Sequence, residues 1–376
     1  MKKYFKYAMM FVATLVMSAS MVSCDNNSTT TEDDGIDENA KAIVQNYVDQ
    51  VVVSTYKSLA DASMELLDAC QAIQENKDQA HVQAACDKWI EARKYWELSE
   101  AFLYGAAADY NIDPSIDSWP LMKSQLDILL ENIKNPNYIL DVANLGYGLK
   151  GFHAIEYVIF RDGKARDVAE ITADELTLGA AVAENLSAQC IRLEASWAGL
   201  DNVTKAKQDI LAEAELEPTN NYGEELVNAG LPGNTKYKTQ KAAFEEILTG
   251  ATDIDDEVGN TKISDPCNSG NVLDVESWYS WNSITDFTDN IRSVRNAYYG
   301  TLDGSVSATS VSSYIAGKNS ALDTKLKSAI DLAIKEVAAM PAPFRQHLTF
   351  EENQAAIDAC NALKDALDEA IELVNE

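Results

Sequence analysis

Basic residues are scarce in this chain. Its 376 residues carry 30 Lys and Arg against 60 Asp and Glu, a formal charge of −30. A field of that sign repels nucleic acid and anionic membrane surfaces and concentrates cations; it also serves plain solubility. Histidine is scarcer still, with only His81, His153 and His347. No H-E-x-x-H occurs, so the usual helical zinc-protease signature is excluded, and no G-x-S-x-G elbow supports a serine hydrolase. Cysteines never fall at C-x-x-C spacing, which excludes a zinc knuckle. Alternating apolar–polar runs bounded by hairpin turns are missing too, which excludes a sheet-based architecture.

What is present begins with an address. Lys2, Lys3 and Lys6 precede an apolar stretch, Met9 to Val22, too short for a comfortable membrane span. Ser18-Ala19-Ser20-Met21-Val22-Ser23-Cys24 resembles a bacterial lipoprotein signal, with Met21 where leucine is commoner. Residues 1–23 are then a signal peptide and Cys24 the lipidated first residue of the mature chain; an ordinary secretory signal is the alternative. Residues 24–39 read as a flexible acidic tether that holds no core. The expected location is the outer membrane or periplasm, with membrane contact through the N-terminal lipid only. Five further cysteines remain, Cys70, Cys86, Cys190, Cys267 and Cys360. Cys70 and Cys86 could meet across a helical hairpin turning near Asn76 to Asp78, as a disulfide or as separate core thiols.

From Ala40 onward the apolar residues recur at helical spacing: Ile43, Tyr47, Val51, Leu59, Leu66 and Leu67. Further helices are predicted at about 80–105, 121–134, 150–160, 172–198, 237–249, 272–299, 319–339 and 352–374. The predicted fold is all-α, two helical bundles packed against each other. Glu217-Pro218-Thr219-Asn220-Asn221 and Gly230-Leu231-Pro232-Gly233 break the pattern. This divides the chain into an N-terminal bundle (40–200), a connection (201–236) and a C-terminal bundle (237–376), each half large enough for one bundle. Trp89 and Trp96 before Phe102-Leu103-Tyr104-Gly105, and Trp278 and Trp281 before Ala297-Tyr298-Tyr299-Gly300, suggest two aromatic helices stopped by glycine. Internal duplication is one explanation of that echo and a common helix ending is the other.

Gly146-Tyr147-Gly148-Leu149-Lys150-Gly151 fits the dinucleotide fingerprint G-x-G-x-x-G, but no strand precedes it, so no nucleotide cofactor is expected. The glycines serve close backbone approach before the next helix. There, in Gly151-Phe152-His153-Ala154-Ile155-Glu156, an imidazole and a carboxylate stand three residues apart on one helix face. His153 and Glu156 are candidate metal ligands, suited to iron or zinc, with Glu100 a candidate third. Alternatively Glu156 is a general base beside His153, or the pair is a buried hydrogen bond that organises a polar core. Asp117, beside Trp119-Pro120, is a further carboxylate candidate. Trp278-Tyr279-Ser280-Trp281, followed by Asp286, Asp289 and Arg292, is either core aromatics with a solvated face or the second wall of a pocket.

Gly151 to Tyr157 resembles the G-x-H-x-x-E motif of imelysin-like proteins. Trp89, Ala92-Arg93, Trp96, Ser99-Glu100-Ala101-Phe102 and Gly105 resemble that family's first-bundle segment. Trp119-Pro120 and the stretch from Asp289 to Gly300 resemble its later segments. The family's Gly-Pro is Gly105-Ala106 here, a change confined to one loop. The resemblance implies two helical bundles with a site between them, and an envelope lipoprotein linked to iron uptake or homeostasis that binds a metal ion or a small metal-bearing ligand; an envelope transporter is a candidate partner that the sequence itself does not reveal. Its site would comprise His153, Glu156 and Glu100, surrounded by Gly151, Arg93, Asp117, Trp119, Asp289 and Arg292. Members are also classed as metallopeptidases, which makes a metal-dependent peptidase using His153 and Glu156 the alternative.

Overall fold

The computed structural model describes residues 37–376; the leader, Cys24 and the tether as far as residue 36 lie outside the described residues. Asp37 accepts hydrogen bonds from the backbone of Asn39 and Ala40 and caps helix α1 (Glu38–Asn46), so the expected tether ends two residues early. The chain continues through a π-helical stretch, Tyr47–Val53, into α2 (Ser54–Glu75). Ile43, Tyr47, Val51, Leu59 and Leu66 form the buried stripe that their spacing predicts. Asp78 caps α3 (Gln79–Glu97), and α4 (Lys123–Ile133) and α5 (Phe152–Ile159) follow. A Thr172/Glu175 capping box opens α6 (Ala173–Ala198). Helix α2 packs between α3 and α6.

The second group comprises α7 (Gln240–Glu257), α8 (Ser283–Tyr299), α9 (Ser320–Ala338) and α10 (Phe350–Asn375). Thr239, Asn319 and Thr349 cap α7, α9 and α10 through side-chain oxygens. Helix α10 lies on α7 and α9, while α8 contacts α7, α9 and, across the molecule, α3. A single apolar cluster including Trp89, Trp96, Phe152, Phe244, Phe287 and Phe344 runs through both groups. Burying each of these large side chains contributes about 1.5–3 kcal/mol before entropy is counted. The all-α class stands, and no helix among the described residues is long and apolar enough to cross a membrane.

Several segments differ from expectation, each for a local reason. Phe160–Arg161 and Lys164–Ala165 form a two-stranded antiparallel hairpin. Asp162 and Gly163 both have positive φ at its turn, the geometry that Asp-Gly favours. Helix α3 stops at Glu97 rather than continuing to 105, because the chain turns at Leu98 and Ser99 into a 3₁₀ turn, Glu100–Phe102. The helix predicted over 272–299 begins only at Ser283; Ser277 and Trp281 have φ of 53° and 63°, which breaks the segment before it. Trp278 and Trp281 are therefore not helical, and Gly105 starts the short helix Ala106–Asp109 instead of ending one, so only Gly300 acts as the expected glycine stop. Residues 201–236 hold two short helices, Lys205–Glu213 and Tyr222–Val227. Cys70 and Cys86 are both buried and both free, so no disulfide closes the α2–α3 hairpin. The Cys86 thiol is directed instead at the Ile159 carbonyl, 3.4 Å away.

Candidate metal centre

Gly151 sets the geometry of the site. Its φ of +79° suits glycine, and a Cβ there would stand 2.2 Å from the Ile116 carbonyl oxygen. Helix α5 can therefore begin directly against the segment that carries Asp117. The Trp89 indole N–H donates to the Phe152 carbonyl at 2.9 Å and ties α5 to α3. His153 and Glu156, both fully buried, then project together.

Their oxygens and nitrogens are not equivalent. His153 Nδ1 lies 2.9 Å from Glu156 Oε2. Glu156 Oε1 accepts from the Tyr279 N–H at 3.0 Å, the Ser280 N–H at 2.8 Å and the Ser280 hydroxyl at 2.7 Å. Both carboxylate oxygens are thus engaged, and Glu156 fixes the imidazole rather than facing a ligand. His153 Nε2 has no hydrogen-bond partner among the described residues. It lies 3.2 Å from Asp117 Oδ1 and 3.9 Å from Glu276 Oε1. The Trp119 ring meets the imidazole edge-on at 4.8 Å between centroids. Burial disfavours the imidazolium, but the Asp117 and Glu156 carboxylates beside the ring outweigh it and raise the His153 pKa to about 9.

Ion pairs surround this face. Arg93, fully buried, pairs with Asp117 and Glu276, meets Glu97 Oε1 at 2.5 Å and approaches Asp286 Oδ2 at 3.7 Å. Asp117 also accepts from the Trp96 indole N–H at 2.5 Å. Burial opposes its ionisation, yet the Arg93 guanidinium and His153 hold it below the usual carboxylate range. Burial drives Glu97 and Glu100 well above that range, as it drives Asp113 up to about 7 and Asp286 up to about 6. Burial is the main cause of these upward shifts, and the Arg93 and Lys262 charges oppose it.

An open cavity of about 780 Å³ adjoins these groups, lined by Asp113, Asp117, Trp119, Glu257, Lys262 and Glu276 among others. A second cavity of about 330 Å³ shares Glu100, Leu103 and Glu257 with it. Asp117, His153 and Glu276 offer ligand atoms within 4.8 Å of one another, and Glu97, Glu100 and Asp117 do the same. Nitrogen and carboxylate oxygen suit zinc or iron, so the residues fit a divalent metal on their chemistry.

Of the residues singled out from the sequence, His153, Asp117, Arg93, Trp119 and Gly151 come together here. Glu156 lies behind the imidazole. Glu100 belongs to the neighbouring group with Glu97 rather than to the His153 face. Asp289 and Arg292 pair with each other at 2.7 Å, and neither lines the cavity. Ser280 stands in the run Trp278 to Trp281 read as core aromatics or as a second pocket wall, whereas Glu97, Lys262 and Glu276 were not foreseen. Glu97 alone carried a signal, one turn after Arg93 on the buried Trp89/Arg93/Trp96 stripe.

The sequence profile of the imelysin peptidases matches residues 52–370. The chain is 27% identical over 332 residues to iron-regulated protein A of Synechococcus elongatus, covering 87% of this chain and 85% of that protein. A crystal structure from Parabacteroides distasonis, described as an iron-regulated protein A precursor, superposes with a TM-score of 0.79 at 29% identity. The match covers 91% of this chain and 97% of that one. An imelysin-like protein from Psychrobacter arcticum shares the fold, with a TM-score of 0.58 at 14% identity over 90% and 93% of the two chains.

Proposed function

This chain belongs to the imelysin family, and we propose that it is a cell-envelope protein that binds a metal ion or a small metal-bearing ligand in iron uptake or homeostasis. One observation carries the reading: a fully buried imidazole whose Nδ1 is locked by Glu156 and whose Nε2, lacking a hydrogen bond, is aimed at two carboxylates. That is how a metal-ligating histidine is usually presented, with a carboxylate behind it fixing the tautomer. His153, Asp117 and Glu276 would hold the metal, and Glu156 would orient His153. Arg93 would balance charge, and Trp119 would keep water from the imidazole. A bound divalent cation would favour the ionised form of the buried carboxylates. Iron is the metal that the relatives' names point to, and zinc fits the same donors.

Attachment through Cys24, at the outer membrane or in the periplasm, belongs to the same proposal, as does hand-over of the metal to an envelope transporter. The excess of acidic residues would raise the local concentration of cations. Elemental analysis of protein from residue 37 onward, loaded anaerobically with Fe²⁺ or Zn²⁺, tests the metal reading. One equivalent is expected in the wild type and none in His153→Ala with helicity intact; equal metal in both would end the assignment.

A metal-dependent peptidase is the second reading, favoured by a cavity much larger than a bare ion needs. Glu156 is ill placed as its base, because both oxygens are already engaged. Chelator-sensitive cleavage of a peptide library that disappears in Glu156→Gln would restore that role.

A further inference from the structure

Lys262 sits where a second cation would. It lies on the π-helical stretch Val258–Ile263, which follows α7 without a break, and its side chain is almost wholly buried. Its Nζ is ringed by four carboxylates: Glu100 Oε2 at 3.3 Å, Glu276 Oε2 at 3.5 Å, Glu257 Oε1 at 3.9 Å and Glu97 Oε2 at 4.0 Å. Only the Glu100 contact has hydrogen-bond geometry. An ammonium with three donors and one such bond is held mainly by charge, as an ion would be. Glu97 and Glu100, with Asp117, form the second carboxylate group, and Asp117 and Glu276 belong equally to the His153 face. Glu97 Oε1 is buried and has no aligned hydrogen bond, although the Arg93 guanidinium lies 2.5 Å away.

We infer that Lys262 is a built-in counter-ion filling a second metal position, so that the centre takes one metal ion at His153 where its carboxylates could hold two. The inference rests on the metal reading above and concerns a residue which that reading leaves unused. Its logic is competition. The ammonium is tethered, so a free cation must displace it to reach Glu97 and Glu100. Replacing Lys262 by an uncharged side chain leaves Glu100 without its counter-charge and Glu97 with Arg93 alone, which costs folding stability until a metal takes the place. The device sets both stoichiometry and selectivity, since a single ion coordinated by His153 and two carboxylates is held differently from a carboxylate-bridged pair.

Zn²⁺ titration by calorimetry, with elemental analysis and circular dichroism, tests this on wild type, Lys262→Met and Lys262→Gln. The expected result is one equivalent in the wild type and two in each variant, with the extra equivalent bound at least tenfold tighter than any second ion in the wild type. Adding Glu97→Gln and Glu100→Gln to Lys262→Met should remove it again. If both single variants lose helical signal without metal, its recovery on adding Zn²⁺ supports the inference and failure to recover overturns it. One equivalent in the wild type and one in folded variants overturns the counter-ion role and leaves the His153 centre standing. None in the wild type and one in the variants sinks the His153 centre and keeps the role of Lys262.

Discussion

At the scale of single residues, the division of labour between His153 and Glu156 is the main outcome. Their spacing predicts a shared face, and they do share one. What spacing cannot convey is that three donors from Tyr279 and Ser280, more than 120 positions away in the chain, claim the far oxygen of Glu156. Glu156→Gln should therefore weaken metal binding about 10–100-fold without abolishing it, because an amide no longer fixes the tautomer as a carboxylate does. Calorimetry with Zn²⁺ reads this directly, and complete loss, as in His153→Ala, would make Glu156 a ligand after all. The imidazole also titrates. An unfolded histidine has a pKa of about 6.5, whereas His153 keeps its proton up to about 9. Its contribution to the stability of the metal-free protein is then complete below pH 6.5 and is lost as pH rises to 9. Metal-free Tm should fall across that window, and the fall should shrink in His153→Gln; identical profiles would contradict the ion pairs with Asp117 and Glu156.

At the scale of elements, irregular segments build the site between regular helices. Helices α4, α6, α9 and α10 were legible to within one or two residues, because 3.6-residue periodicity marks all four and capping residues mark α6, α9 and α10. The segment 276–281 was not legible. Its aromatics at helical spacing mimic a helix, while the positive φ of Ser277 and Trp281 and the donation of two N–H groups to Glu156 depend on tertiary contacts. The Asp162-Gly163 turn was a readable signal passed over in a helical context. Gly151 controls how closely α5 approaches Ile116. Gly151→Ala combines a positive φ with a Cβ 2.2 Å from a backbone oxygen, a strain of at least about 1–3 kcal/mol. A Tm lower by several degrees with weakened metal binding is expected, and an unchanged melt would mean the segment yields freely.

At the scale of the whole molecule, an acidic surface encloses a partly compensated acidic centre. The charge of −30 destabilises the compact state by self-repulsion. Raising NaCl from about 0.02 M to about 0.5 M shortens the screening length several-fold and should raise the metal-free Tm. A Tm that falls with salt would show that the buried and surface ion pairs outweigh the repulsion. The all-α class and the G-x-H-x-x-E face could be read from the sequence because both are local patterns. Glu276 and Lys262 could not, since their roles arise only where α3, the π-helical stretch and the segment before α8 meet. Locating the metal decides the central claim most directly, through anomalous scattering at the zinc edge from crystals grown with Zn²⁺. The expected map has one strong peak about 2.0–2.2 Å from His153 Nε2, in reach of Asp117 and Glu276. Zinc-loaded crystals with no peak there, or with one between His153 Nδ1 and Glu156, would contradict it.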